Sequence, residues 1–381
     1  MNEWMVILLL PVAAWSGWWL AMRREAREMR ADKSRAAYFE GLHFLLNDQT
    51  DRAVDVFLNM ASINQQAVDN QLTLGSLFRK RGELDRALHL HRRLADFHGL
   101  NNSQQQAVSF ELAQDYAAAG MYLQAREHLE ALCGDGYQLR EVIPILLGIY
   151  ERMQQWPQAI ALSEMWMARG FGERRLQMAH YHCERAEQAI RAGDETGACA
   201  ALDQALSLDR DHIRAYWLRA RRFAAAGQSI NAISSYLAVA ERAPAFIPEI
   251  LPEMQQAYAA IEREDEFHAW LVESEKRNRS IRLTLAAAAF LRDGHPAQAR
   301  DLVDVALQER KSALLLSAWL AYHDNPDAQT LHAFLHRSLS PHTVYQCNEC
   351  GFRQQKPVWH CPACFAWSSF EPLLELKLEE K

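Results

Sequence analysis

One alanine recurs along most of this chain at nearly constant spacing, and no other feature restricts the fold as much. The series is Ala53, Ala87, Ala125, Ala159, Ala198, Ala232 and Ala299, with Phe267 filling the place between the last two; the intervals are 34, 38, 34, 39, 34, 35 and 32 residues. Twelve places before each stand Gly41, Gly75, Ala113, Leu147, Ala186, Ala220, Gln255 and Ala287, mostly small side chains. Nine places before each stand Phe44, Phe78, Tyr116, Tyr150, Ala189, Phe223, Tyr258 and Phe290, mostly aromatic ones. Self-similarity at this period means one supersecondary unit repeated, each copy burying its apolar face against its neighbours. Small residues at facing places let two antiparallel helices approach closely, and the ring fills the gap to the next pair.

The turns keep the same register. Five places before the alanine, glycine stands in five of eight units: Gly82, Gly120, Gly193, Gly227 and Gly294. A glycine just past a helix end takes the left-handed conformation without a Cβ penalty and reverses the chain. In the unit ending at Ala159 the loop Gln154-Gln155-Trp156-Pro157 is expected to do this, with Pro157 opening the second helix, and Pro244 breaks the chain after the sixth unit. The pattern resembles the tetratricopeptide repeat over residues 34–312, about eight units, and the resemblance implies an all-α superhelical solenoid. At the seventh unit Gln255 and Phe267 replace the small pair, which predicts a looser helix pair or a joint between two arcs. Residues 313–340, broken at Asp324-Asn325-Pro326, read as a terminal helix pair over the open end. Such a solenoid offers a groove to a peptide or a partner helix, and eight units is more length than a spacer needs.

At the amino end, Trp4 to Met22 is a run of nineteen residues without a charge. At about 1.5 Å per residue it just spans a hydrocarbon core of roughly 30 Å. Trp4 at one end and Trp18 and Trp19 at the other fall where indole rings favour the headgroup boundary, and Pro11 is tolerated in a spanning helix. A cleaved signal peptide would carry positive charge before the apolar run, yet only Asn2 and Glu3 precede it. Arg23, Arg24, Arg27, Arg30, Lys33 and Arg35 follow instead, so residues 1–22 are expected to be an uncleaved single-pass transmembrane anchor, residues 23–33 a basic juxtamembrane linker, and the rest cytoplasmic. Ala13, Ala14, Ser16 and Gly17 are small enough for close contact between anchors, which allows a homo-oligomer.

The carboxyl end, residues 341–381, carries Cys347-Asn348-Glu349-Cys350 and, ten residues on, Cys361-Pro362-Ala363-Cys364. Two Cys-x2-Cys turns facing each other supply four soft ligands for one tetrahedral ion. Disulfides are the competing pairing, but the anchor's topology puts the segment in a reducing cytosol. Zinc and a single iron both suit four thiolates. With every position taken by protein, such a site has no place for substrate, so its role is structural or electron-carrying. Gly351 suits the left-handed turn after the first pair. The other cysteines, Cys133, Cys183 and Cys199, stand alone in apolar helical contexts and read as core residues.

Nucleic acid is a poor candidate partner for a chain of net charge -7 with only Arg353 and Lys356 between its knuckles. Trp359, Trp367 and Phe370 are therefore expected to pack the ribbon on the last helices rather than to stack bases. Among fifteen histidines, His332 and His336 have helical i, i+4 spacing but lack the glutamate of a hydrolytic zinc motif. His89 and His91, like His180 and His182, are two apart and cannot face one point on a helix, so all are expected to be core or solvated side chains. No Gly-x-Ser-x-Gly motif and no Gly-rich phosphate loop occurs, and the chain reads as a non-enzyme.

Anchor, repeats and four-cysteine ribbon in this order resemble the lipopolysaccharide assembly protein B family of Gram-negative bacteria. Leu8-Leu9-Leu10-Pro11-Val12-Ala13-Ala14, Leu72-Thr73-Leu74-Gly75-Ser76-Leu77-Phe78-Arg79 and Trp359-His360-Cys361-Pro362-Ala363-Cys364 with Ala366-Trp367-Ser368 carry the likeness most specifically. The resemblance implies a single-pass inner-membrane adaptor, facing the cytoplasm, that regulates lipopolysaccharide and lipid A synthesis. It would promote degradation of the committed-step lipid A deacetylase by a membrane-anchored AAA+ protease and gather other lipopolysaccharide synthesis and transport proteins. The family's ribbon is called rubredoxin-type and its metal is described as iron, with zinc satisfying the same ligands. The alternative is a rubredoxin-like electron carrier tethered to an interaction solenoid. Phe365 stands where rubredoxins usually carry glycine.

Overall fold

The computed structural model describes residues 65–322 and 325–378, with scattered positions between 15 and 56. The expected anchor, Trp4 to Met22, and the basic linker 23–33 lie mostly or wholly outside the described residues; Trp15, Trp18, Trp19, Leu20 and Met22 are helical and exposed. Among the described residues no helix is long and apolar enough to cross a membrane. The chain divides into two units, Met1–Phe171 and Gly172–Lys381. The division falls in the longest interval of the repeat, the 39 residues from Ala159 to Ala198, and not at the seventh unit where the residues suggested a joint.

From residue 65 to the end of the first unit, the described helices form antiparallel hairpins: α1 (Gln65–Lys80) with α2 (Leu84–Ala95), α3 (Asn102–Ala118) with α4 (Tyr122–Gly134), and α5 (Leu139–Arg152) with α6 (Trp156–Ala168). Ala87, Ala125 and Ala159 are fully buried, as the periodicity requires. Gly75 is small for a specific reason: a Cβ there would lie 2.2 Å from Nε2 of His91. That imidazole is itself fully buried, with Nδ1 2.5 Å from Oδ2 of Asp115, and Asp115 Oδ1 accepts from Arg79 at 2.6 Å. His89, by contrast, faces solvent. An Asn101/Gln104 capping box opens α3, its two reciprocal bonds being 2.9 and 3.0 Å.

The second unit continues with α7 (Arg175–Ala192) and α8 (Glu195–Leu208), α9 (Ile213–Ala225) and α10 (Ser229–Arg242), a 3-10 turn at Pro244–Phe246, α11 (Ile247–Ala259) and α12 (Glu264–Asn278), α13 (Ile281–Leu291) and α14 (Pro296–Glu309), then α15 (Ala313–Leu320) and α16 (Pro326–Ser338). Three strands follow, β1 (Leu339–Cys347), β2 (Arg353–Gln354) and β3 (Phe370–Leu378), antiparallel in the order β2-β1-β3. Phe267 does not loosen the seventh pair. It is fully buried, with the rings of Tyr258, Trp270 and Phe290 at centroid distances of 5.8, 6.2 and 6.1 Å.

The turns share one hydrogen bond that ties the repeat's aromatic place to its reversal. The amide four places before the buried alanine donates to the carbonyl nine places before it: Glu83 to Phe78, Met121 to Tyr116, Gln155 to Tyr150, Asp194 to Ala189, Gln228 to Phe223 and Arg263 to Tyr258, at 2.8–3.1 Å. This is the bond of a Schellman cap, and it needs a left-handed residue between. Gly82, Gly120, Gly193 and Gly227 supply it at φ 72–82°, and Gln154 and Glu262 are forced into it at φ 54° and 57°. Gly294 does not adopt it, contrary to expectation, because His295 N bonds to Leu291 O instead and the reversal there takes a different path.

Candidate metal centre

The strand pairing of β1 with β3 places Cys347 opposite Phe370 at the end of the ladder, and each Cys-x2-Cys pair then closes a turn of the same build. Cys347 N donates to Phe352 O and Gly351 N to Cys347 O; fourteen residues on, Cys361 N donates to Ala366 O and Phe365 N to Cys361 O, all at 2.8–2.9 Å. Both turns need a left-handed fifth residue. Gly351 provides it freely at φ 75°, whereas Phe365 adopts φ 61° against its own Cβ. His360 reaches over the second turn, its Nε2 3.1 Å from Phe365 O.

The two turns bring all four sulfurs within 4.8 Å of one another. Cys347 Sγ and Cys364 Sγ are 3.7 Å apart, as are Cys350 Sγ and Cys361 Sγ. A tetrahedral ion about 2.3 Å from each sulfur needs edges of roughly 3.8 Å, which two of the pairs match, so the donor set suits a thiolate-bound ion of zinc or iron size. Cys347 and Cys361 are buried, and Cys350 and Cys364 lie toward solvent. Burial pushes the Cys347 thiol up, but the Ser369 hydroxyl at 3.2 Å and the amides of Cys350 and Glu349 outweigh it and hold the thiol down at about 6. Cys364 is favoured as thiolate by the Ala366 amide, yet desolvation and the protons it shares with the other three cysteines carry it up to about 12. Four thiols sharing protons in so small a volume hold one another's charge back, and a divalent cation removes that conflict.

The centre belongs to the core of the second unit. Tyr345, Cys347, Cys361 and Phe370 are part of one buried cluster with Trp217, Phe246, Ile250 and Met254. Trp359 stacks on Phe246 at 5.8 Å and meets Trp217 edge-on at 6.2 Å. Trp367 is sandwiched between His360 at 4.2 Å and His180 at 4.8 Å, while His180 Nε2 lies 2.6 Å from Ser368 Oγ. Tyr345 Oη donates to Glu249, which also pairs with Arg282. Every helical partner here belongs to the first helix of a hairpin (α7, α9, α11, α13) or to the 3-10 turn leading into one. The expectation that the ribbon packs on the last helices is therefore corrected: aromatic surface and a buried carboxylate suited to it occur on repeat units five to eight (α7 to α14), and not on α15 and α16. The packing reading of Trp359, Trp367 and Phe370 holds, with their rings against protein.

The remaining candidates fall where core chemistry puts them. His180, His182 and Cys183 are buried in α7; Cys199 accepts from Arg222 at 3.2 Å, and Cys133 is half-buried. His332 Nδ1 contacts Ser317 O at 2.8 Å and joins no ligand cluster among the described residues; the side chain of His336 lies outside them. Sequence reasoning missed a second convergence of ligand-type side chains, at Asp265, His268 and His295.

Residues 345–372 match the profile of a rubredoxin metal binding domain. Lipopolysaccharide assembly protein B of Escherichia coli is 30% identical over 382 residues, covering 97% of this chain and 98% of that protein. The chain belongs to the lipopolysaccharide assembly protein B family. A second member, from Haemophilus influenzae, is also 30% identical, over 393 residues, with coverage of 97% and 98%. Among solved structures, that of Naa15/Naa10 bound to HypK-THB superimposes on 80% of this chain and 46% of its own with a TM-score of 0.52; at 14% identity this is a likeness of fold alone. Both alignments run nearly end to end along this chain, across its repeats and its ribbon.

Proposed function

We propose that the protein is a non-enzymatic adaptor in lipopolysaccharide assembly, held at the bacterial inner membrane by residues 1–22 with its repeats on the cytoplasmic side. Its ribbon binds one iron or zinc ion through Cys347, Cys350, Cys361 and Cys364, and the ion folds the knuckles that present Trp359 and Trp367 to the helices. The observation that carries this reading is the end-to-end relationship to proteins named for lipopolysaccharide assembly. The closed thiolate set supports it, since such a centre offers no substrate position. Within the second unit the ribbon occupies much of the face formed by the first helices, so protein partners are assigned to surfaces that the ribbon leaves open.

The partners we assign are a membrane-anchored AAA+ protease, the lipid A deacetylase it degrades, and other lipopolysaccharide synthesis and transport proteins. Tethering in the membrane plane raises the effective concentration of such partners without tight individual contacts. Crosslinking in intact membranes, followed by identification of captured proteins, tests the assignment. Recovery of protease and deacetylase is the expected result; recovery of redox enzymes alone would replace the adaptor by an electron carrier. The solvent-facing Cys350 and Cys364 are the one feature that favours the carrier, and colourless protein holding zinc eliminates it.

A further inference from the structure

We propose that Asp265, His268 and His295 form a second metal site, separate from the ribbon, that takes a divalent ion of the Zn2+ class through two imidazoles and one carboxylate. Asp265 and His268 stand three residues apart in the first turn and a half of α12, and so share one side of the helix. His295 is the residue immediately before α14, the second helix of the next hairpin. Stacking of successive hairpins brings these helix starts together. The three donor atoms lie within 4.8 Å of one another, and the two imidazole rings meet edge to face at 4.6 Å.

Nδ1 of His268 is buried and has no hydrogen-bond partner among the described residues, which is the condition of a ligand nitrogen awaiting an acceptor of its lone pair. Burial, then the neighbouring His295, push the His268 imidazole down, so the ring is neutral and able to ligate at physiological pH. Helix starts repel cations, but the first turn of α12 carries Glu264, Asp265 and Glu266, which reverse the local sign. A tetrahedral ion about 2.1 Å from each ligand needs donor separations of roughly 3.4 Å. The exposed side chain of Asp265 has the freedom to close the remaining distance. Nitrogen and carboxylate donors select borderline ions rather than the soft-ligand chemistry of the ribbon, and three protein ligands leave at least one position to water.

The test uses the full chain with its ribbon metal in place. After removal of loosely held ions, Zn2+ is titrated calorimetrically, and metal per chain is measured by elemental analysis before and after. One further equivalent is expected beyond the ribbon metal. Because Nδ1 of His268 is buried, the variants are Asp265→Asn and His295→Ala, with helicity checked by circular dichroism. Each is expected to weaken the further equivalent at least tenfold while leaving the ribbon metal untouched. Absence of a further equivalent, or one that both folded variants bind as the parent does, overturns the site.

Discussion

His180 and Trp367, 187 positions apart in the chain, stack ring on ring at 4.8 Å, and this contact fastens the metal ribbon to the first helix of the second unit. The neighbouring bond from His180 Nε2 to Ser368 Oγ, 2.6 Å, makes the contact polar as well as apolar. Because the imidazole is buried and held neutral, the ribbon sits against a group that acid would charge.

Trp367→Ala is expected to release the second knuckle from α7 while sparing the four sulfurs. Loss of a partly buried indole costs about 2–3 kcal/mol. The expected outcome is a lower midpoint in urea and faster tryptic cleavage after Arg353, with metal content unchanged. A ribbon that keeps its protease resistance would show that the indole contributes little.

Cys347→Ser removes a buried ligand whose Sγ lies 3.2 Å from Ser369 Oγ. Metal content is expected to fall from one ribbon ion to none, and the near-ultraviolet dichroism of Trp359 and Trp367 to collapse with it. Cys133→Ser, outside the cluster, serves as the control and is expected to change neither reading.

Stability is expected to fall in acid. Burial holds His182 and His212 down at about 4, and burial, with His212 and Arg214, also pushes His180 well down. Each is neutral in the fold, whereas the unfolded chain takes up its proton near 6.5. The unfolded state therefore binds more protons between about 6.5 and 4, and stability declines as pH drops through that window. Thermal midpoints from pH 8 to 4.5 check the sign. His182→Gln, at matched metal load, is expected to flatten the acid limb.

In the first unit, Asp115→Asn is expected to cost about 3–5 kcal/mol, since it leaves a buried pair with Arg79 broken and His91 without its carboxylate. Gly75→Ala should cost about 1–3 kcal/mol by overpacking His91. Gly82→Ala meets open space and pays only for its left-handed backbone, about 1–2 kcal/mol. Urea unfolding of the three variants checks the order, with Asp115→Asn the least stable.

What could be read in advance was whatever repeats or clusters locally. The alanine places mark buried contacts, the glycines mark most reversals, and two Cys-x2-Cys turns mark the sulfur cluster, because each signal lies within a few residues of the structure it specifies. Gln154 and Glu262 were illegible as left-handed residues: the Schellman bond to Tyr150 and Tyr258 imposes that conformation on side chains that do not advertise it. Gly294 misled for the converse reason, its permissiveness going unused. The seat of the ribbon on repeat units five to eight could not be inferred, since His180, Trp217 and Glu249 acquire their meaning only when a segment more than ninety residues away folds over them. His268 and His295 likewise belong to different hairpins, and no local spacing joins them.

Hydrogen exchange across the full chain, with the ribbon metal bound and after its removal by a chelator, tests most directly whether ribbon and helices form one folded body. Protection is expected to drop together in residues 345–372 and at the helical seats around His180, Trp217 and Glu249, while the first unit stays unchanged. Loss confined to residues 345–372, with those helices as protected as before, would contradict it.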